Sequence, residues 1–150
     1  MATLEAIQHL IEELGPAYDD VVNIAQFADG EWVIALADDS EIAIEADTDG
    51  DALVLSAELG VPADDRRSGV LETLLAANML WREHGGIVMA AAGPEGEIFQ
   101  IYPLSTSGLT VEGLYESLAL FAEKARVWRS IVAGDGESDW EPEAPSALRV

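Results

Sequence analysis

The chain has 150 residues, 49% of them hydrophobic and 24% charged, which is the profile of an ordinary globular domain. Seven Lys and Arg stand against 29 Asp and Glu, so the formal net charge is −22. Since binding to nucleic acid or anionic lipid requires basic side chains, this balance argues against DNA, RNA and membranes as partners. The chain has no cysteine, which excludes a disulfide framework and a thiolate nucleophile or metal site. It shows no secretion signal and no apolar run of ~18 residues, so we expect a cytoplasmic protein.

The first predicted element is a short amphipathic helix from Thr3 to Leu14. Thr3 can cap it, and Gly15-Pro16 is expected to stop it. Because a helix of about twelve residues is only marginally stable alone, it must dock on the rest of the domain.

A three-stranded antiparallel meander follows. In the segment from Asp19 to Phe27 the two sets of alternate side chains differ only weakly in character, and the sequence leaves open whether the segment is a strand or an extended arm. Clear alternation with a period of two then runs over residues 32–37, 42–47 and 52–59, separated by turn-forming residues such as Asp49-Gly50. One face of the meander carries large apolar side chains and is expected to be core. The other face is small and half-apolar, which is unusual for a purely solvated surface, and includes Val33, Ala35, Ala43, Val54 and Ser56.

The segment from Ala63 to Gly86 is predicted to contain the central helix. Asp64 and Asp65 are typical of a helix start, and Gly85-Gly86 of a helix end. The apolar band between them is wider than one packing partner requires, so we expect the chain's own sheet on one side and a second copy on the other. The amide of Asn78 could fix the register of two packed chains or bond within its own chain, and the sequence leaves both open.

Two strands and a long helix complete the predicted fold. Ile87 to Ala92 is apolar without alternation, which predicts a strand covered on both faces, and Ile98 to Leu104 returns as its hairpin partner. Thr110 is expected to cap a helix to about Val132 with a stripe at Leu114, Leu118, Phe121, Ala125, Trp128 and Val132. The fold class is α+β, a sandwich in the order helix, three strands, helix, two strands, helix, with an antiparallel sheet. We expect this domain to span residues 1–133 and the acidic tail, residues 134–150, to be disordered.

No candidate catalytic or metal site is convincing. The spacing of an EF-hand calcium loop occurs at Asp47, Asp49, Asp51 and Glu58. Ala52 stands where that loop needs glycine, and the flanks alternate as strands, so an Asp-Gly hairpin is preferred. A hydrolytic carboxylate pair at Glu45 and Glu58 is a weaker alternative. We therefore expect no enzymatic activity, metal or cofactor. The basic residues on helices are expected to pair with nearby acids: Arg66, Arg67, Arg82, Lys124, Arg126 and Arg129.

Four segments in order resemble a known family. They read DGDALVLSAELG, LLAANMLW-x-x-x-GG, GPEGEIFQIYPL and LALFAEKARVWR. The set resembles the class I type III secretion chaperones, the Tir chaperone (CesT) family, over Leu4 to Ala133. The resemblance implies a cytoplasmic bacterial homodimer that holds the N-terminal segment of a secreted effector in extended form and releases it at an ATPase-driven export apparatus.

The resemblance also implies two contact surfaces. The dimer interface is expected on the central helix and the strand after it, at Leu71, Leu74, Leu75, Asn78, Trp81, Val88 and Ala90. The effector is expected to contact the first helix and the small-residue sheet face, at Ile7, Leu10, Leu14, Val33, Ala35, Ala43 and Val54. The alternative is a regulatory or antagonist protein-binding module of the same fold. The identity of the natural partner, a secreted effector or a regulator, distinguishes the two.

Overall fold

The computed structural model describes residues 2–134 and contains three helices and six strands in that range. In chain order the elements are α1 (Leu4–Ala17), β1 (Val21–Ala28), β2 (Glu31–Leu36), β3 (Glu41–Asp47), β4 (Ala52–Gly60), α2 (Arg67–Met79), β5 (Val88–Ala91), β6 (Ile98–Ser105) and α3 (Val111–Ala133). The predicted α+β class is confirmed. The segment that the sequence left open is the strand β1, so four strands rather than three precede α2. The expected tail lies outside the described residues from position 135 onwards.

The strands form one six-stranded sheet in the order β1-β2-β3-β4-β6-β5, with β1 and β5 at its edges. Pairing is antiparallel between β1 and β2, β2 and β3, β3 and β4, and β5 and β6. The β3–β4 connection is the Asp-Gly turn, in which the Gly50 N–H donates to Asp47 Oδ1 at 3.0 Å. Asp51 completes this turn with φ of 51°. The hairpin prediction for this acidic segment is therefore confirmed.

The chain divides into two compact units. Unit 1 comprises Met1–Ala57 and Pro103–Lys124, and unit 2 comprises Glu58–Tyr102 and Ala125–Val150. Each unit has its own buried apolar residues, and α3 contributes its first half to unit 1 and its second half to unit 2.

In unit 1, α1 begins as predicted but ends later. Thr3 Oγ1 accepts a bond of 3.1 Å from the Ala6 N–H, as a capping residue does. Pro16 lies inside the last turn instead of stopping the helix. The missing donor of a proline costs little so near the end, because the Tyr18 N–H closes the helix on the Leu14 carbonyl at 3.0 Å.

In unit 2, α2 begins later than the sequence predicts. A turn closed by the Arg66 N–H and the Ala63 carbonyl, 2.9 Å apart, precedes the helix. The N-cap position is Arg66, which makes no side-chain capping bond. Asp64 and Asp65 therefore lie before the cap and do not start the helix as expected.

The helix α2 also ends early, at Met79. The chain then continues through turns in which the Gly86 N–H donates to the Trp81 carbonyl at 2.7 Å. Gly85 and Gly86 have φ of 69° and 95°, the left-handed region that glycine tolerates. The glycine pair therefore closes this turn segment, beyond the end of the helix proper.

The helix α3 follows its prediction closely. Thr110 Oγ1 accepts a bond of 3.1 Å from the Gly113 N–H. All six residues of the predicted stripe are buried, with exposures of 5% or less: Leu114, Leu118, Phe121, Ala125, Trp128 and Val132.

Several arginine side chains of unit 2 bond backbone carbonyls, which the sequence did not suggest. Arg66 reaches two carbonyls in the last turn of α3, where the helix dipole favours a cation. Arg67 bonds two carbonyls of the β5–β6 turn, and Arg129 bonds the Glu58 carbonyl. Positive charge in this unit is therefore used to tie its own segments together.

Candidate functional site

The helix α2 has a covered side and an open side. Val70 and Leu74 are each 4% exposed and pack into unit 2. On the other side, Leu75 and Met79 are 68% and 52% exposed. Trp81, in the turn segment after the helix, is 47% exposed, and we call these three residues the α2 face. The helix therefore has the wide apolar band that the sequence predicts, and within residues 2–134 only one side of it is covered.

The residues expected at the dimer interface are divided between these two sides. Leu75, Trp81 and Ala90 are exposed, and Leu71, Asn78 and Val88 are half-buried. Leu74 belongs to the core of unit 2. A sequence stripe drawn at helical spacing thus mixes core residues with surface residues.

Asn78 is held within its own chain. Its Nδ2 donates to the Met89 carbonyl at 2.9 Å, and its Oδ1 accepts from the Met89 N–H at 2.8 Å. Met89 lies on β5, the edge strand of the sheet, so the amide supplies the two bonds that a further strand would make there. Of the two roles that the sequence left open, the structure shows the bond within the chain.

The strand β5 is only partly covered on each face, contrary to the expectation of a strand covered on both faces. Met89 is 8% exposed, whereas Ala90 and Ala91 are exposed. The reason is that β5 has four residues and lies at the sheet edge, where small side chains need no cover.

A row of small residues crosses four strands of unit 1. Ala25, Val33, Ala43 and Ser56 stand directly opposite one another from β1 to β4. The buried residues of β2 and β3 alternate with this row, so it lies on the sheet face away from the core. Members of the row are half-buried or exposed.

Carboxylates lie on both sides of this row. In the adjacent register position on one side, Glu31 stands opposite Glu45, which in turn stands opposite Val54. On the other side Ala35 stands opposite Glu41. We call the row and these flanking positions the outer sheet face. It contains all four sheet residues expected to contact the effector.

The α1 residues expected to contact the effector are placed differently. Ile7 and Leu14 are 1% and 0% exposed and belong to the core of unit 1. Leu10 is half-buried. Ile7 and Leu14 could therefore meet a partner only if α1 moved away from the sheet.

An aromatic pair in unit 1 has no signal in the sequence. The rings of Tyr18 and Tyr115 stack with centroids 3.8 Å apart, and the Tyr115 hydroxyl donates to Asp20 Oδ2 at 2.6 Å. This hydrogen bond, with smaller contributions from burial and negative charge, raises the pKa of Tyr115 above its ordinary value. Because Tyr115 lies 95 positions from Asp20 along the chain, only folding brings the two together.

The two units differ sharply in charge. Unit 1 contains seventeen Asp and Glu and one basic residue, Lys124. The described part of unit 2 contains seven acidic residues and five arginines. Nearly all of the excess negative charge within residues 2–134 therefore belongs to the unit that carries the outer sheet face.

Neither a metal centre nor a membrane span is evident in the described range. Over residues 2–134 no three His, Asp or Glu side chains are grouped closely enough to hold a metal ion. No helix in that part of the chain combines the length and the hydropathy of a membrane span.

This fold is that of type III secretion chaperones. A structure of the ExsC–ExsE complex aligns with a TM-score of 0.72 at 15% identity, covering 89% of this chain and 98% of the other. The HopA1–SchA chaperone–effector complex aligns with a TM-score of 0.67 at 17% identity, covering 83% and 93%. The Yersinia pestis type III secretion chaperone SycH, in complex with a fragment of YscM2, gives 0.57 at 15% identity, covering 80% and 97%.

The family follows from a match at the level of sequence. The chain matches the Tir chaperone protein (CesT) family over residues 9–129, which is well over half of its length. The chain therefore belongs to this family of secretion chaperones, as the resemblance of its four segments predicts. No curated protein matches it by sequence.

Proposed function

We propose that this chain acts as a homodimer that binds the N-terminal segment of a type III secreted effector in extended form and keeps it soluble for export. The observation that carries this proposal is the presence of two separate open surfaces with apolar residues on one chain, the α2 face and the outer sheet face. Each apolar Å² removed from water contributes roughly 25 cal/mol, so both surfaces favour being covered. The high net negative charge opposes unspecific association of the free chains.

The α2 face is the surface proposed for the second copy. Leu75 and Met79 lie one helical turn apart on α2, Trp81 lies in the turn segment that follows the helix, and a two-fold axis would bring the same residues of both chains together. Leu74 supports them from the core, and Val88 and Ala90 lie on β5, which contacts α2. Trp81 is stiffened by Arg82, whose guanidinium lies 5.0 Å from the ring centroid.

The outer sheet face is the surface proposed for the effector. Its small residues leave shallow space in which the side chains of an extended segment could lie. Val33, Ala35, Ala43 and Val54 supply the apolar contacts. The effector could contact Ile7 and Leu14 only if α1 were displaced, whereas it could contact Leu10 without displacement of the helix. We propose that the protein acts in the bacterial cytoplasm and that the export ATPase releases the effector.

The dimer is tested first. Light scattering after size exclusion should give twice the chain mass of 16.0 kDa at micromolar concentration. A monomer under these conditions would contradict the proposed assembly.

Effector binding is tested by co-expression with N-terminal segments of candidate secreted proteins from the same bacterium. A true effector segment should co-purify, remain soluble and resist proteolysis, whereas a C-terminal segment of the same effector should do none of these. Co-purification of a non-secreted regulator in place of any effector would contradict the proposed function.

A further inference from the structure

The outer sheet face carries negative charge that the fold does not neutralise. Glu31 and Glu45 are exposed and directly opposite each other, so their side chains start about 5 Å apart. Like charges at such positions destabilise a sheet. None of Glu31, Glu41 and Glu45 pairs with a cation among residues 2–134.

The same unit offers almost no cation that could relieve this repulsion. Lys124 is its single basic residue and lies on α3. In unit 2, by contrast, Arg66, Arg67 and Arg129 are engaged with backbone carbonyls. The repulsion on the outer sheet face is therefore suited to relief by a partner that brings positive charge.

Two occupants from within the protein do not fit. Residues 135–150 contain five acidic residues and one basic residue, Arg149, so this segment has the wrong sign. A second copy packed on the same face by two-fold symmetry would bring carboxylates against carboxylates. Charge complementarity thus selects a different polypeptide.

The register defines the spacing of that partner. Successive positions on one face of a strand repeat every two residues, or roughly 7 Å. Along β3 the outer sheet face therefore reads carboxylate, small apolar residue, carboxylate, at the positions of Glu45, Ala43 and Glu41. The neighbouring strand β2 adds a carboxylate only at Glu31. An extended segment that packs over the sheet in the aligned arrangement of two stacked sheets lies within about 30° of the strands and has the same two-residue repeat.

We propose that the outer sheet face binds an extended effector segment in which Lys or Arg flanks a small apolar residue at two-residue spacing. This inference rests on the proposed function. The pattern is basic–x–apolar–x–basic. The outer basic residues lie against Glu31 with Glu45 and against Glu41, and the apolar residue lies on Val33 and Ala43.

The test uses fluorescence anisotropy with the full chain and a labelled peptide of Lys-Thr-Val-Thr-Lys repeats. Glu31→Gln/Glu45→Gln should weaken binding roughly fivefold to tenfold, as expected for the loss of two partly exposed ion pairs. The control Glu116→Gln/Glu123→Gln removes the same charge from exposed positions of α3 in the same unit, and should change affinity less than twofold. A matched peptide with Glu in place of Lys should not bind.

A second readout separates recognition from folding. Because the Glu31/Glu45 repulsion is relieved, Glu31→Gln/Glu45→Gln should unfold at a higher urea concentration than the parent chain while binding the Lys peptide more weakly. Reduced stability together with weaker binding would indicate a structural role and overturn the proposal. Equal weakening of peptide binding by both double variants would also overturn the proposal, because it would show that affinity depends on the total charge of unit 1 and not on these two glutamates. A change of dimer mass without a change in peptide affinity would assign the face to a contact between copies.

Failure of this inference is distinct from failure of the proposed function. If effector segments bind in co-expression but the Lys peptide does not bind, only the charge pattern is wrong. If the Lys peptide binds as described and no effector segment does, the face recognises basic chains but the chaperone function is wrong.

Discussion

Unit 1 and unit 2 differ in charge, although both have exposed apolar side chains. Both leave apolar side chains open to solvent, on the outer sheet face and on the α2 face respectively. Unit 1 has a single cation, whereas unit 2 has five arginines in its described part and binds backbone carbonyls with three of them. If the two surfaces bind as proposed, this difference in net charge distinguishes the surface for a basic guest from the surface for a copy of the same chain.

The largest effect is expected from placing a charge in the core of unit 2. Leu74→Glu buries a carboxylate where a side chain is 4% exposed, and we expect a loss on the order of 4 kcal/mol in the free energy of unfolding. Urea denaturation followed by circular dichroism measures it. A folded, stable Leu74→Glu monomer would show that this leucine serves the dimer and not the core.

The neighbouring residue should separate assembly from folding. Leu75→Glu changes a side chain that is 68% exposed, so the fold should remain while the dimer dissociates. Loss of one buried leucine per chain corresponds to roughly a hundredfold or larger increase in the dimer dissociation constant. The matched control is Leu120→Glu, which makes the same change at a leucine of α3 in unit 1 that is 52% exposed. Equal dissociation by both variants would remove the α2 face as the interface.

A smaller effect is expected at the edge of β5. Asn78→Ala leaves the N–H and the carbonyl of Met89 without their partner, which costs about 1–3 kcal/mol if water does not replace it. Hydrogen exchange at the Met89 amide should accelerate more than exchange in β2. Unchanged exchange at Met89, with a weaker dimer, would instead assign the amide to the interface between copies.

The smallest effect concerns pH and unit 1. The bond to Asp20 favours the protonated phenol of Tyr115, so its contribution to stability is fully present below the ordinary pKa of tyrosine and is lost as pH rises through the raised pKa of the folded state. Absorbance titration should show one of the three tyrosines ionising last, and Tyr115→Phe should remove that component. Tyr102→Phe is the control. Loss of the last component in the control alone would contradict the assignment.

The sequence predicts well those elements that have a long periodic pattern of apolar residues or a characteristic turn sequence. The stripe of α3 extends over about five turns, so no other period fits it, and all six of its residues are buried. The Asp49-Gly50 turn identifies the β3–β4 hairpin because few residues tolerate that geometry. The predicted start of α2 was wrong because Asp64 and Asp65 resemble caps, while capping depends on backbone geometry that composition does not encode.

Contact surfaces are harder to predict for a physical reason. The same apolar side chain suits a core and an interface, so Ile7 and Leu75 look alike in the sequence although one is 1% and the other 68% exposed. Asn78 shows the same limit, because its partner Met89 is brought close only by the fold. The Tyr18–Tyr115 stack has no local pattern at all.

The amide of Asn78 has a consequence for growth of the sheet. Open-ended filaments form when both margins of a sheet can accept another molecule in turn. At β5, which is four residues long, the central main-chain groups are already occupied by a side chain of the same molecule. An extra strand at this margin would have to displace Asn78 from Met89, which opposes growth of the sheet on the β5 side.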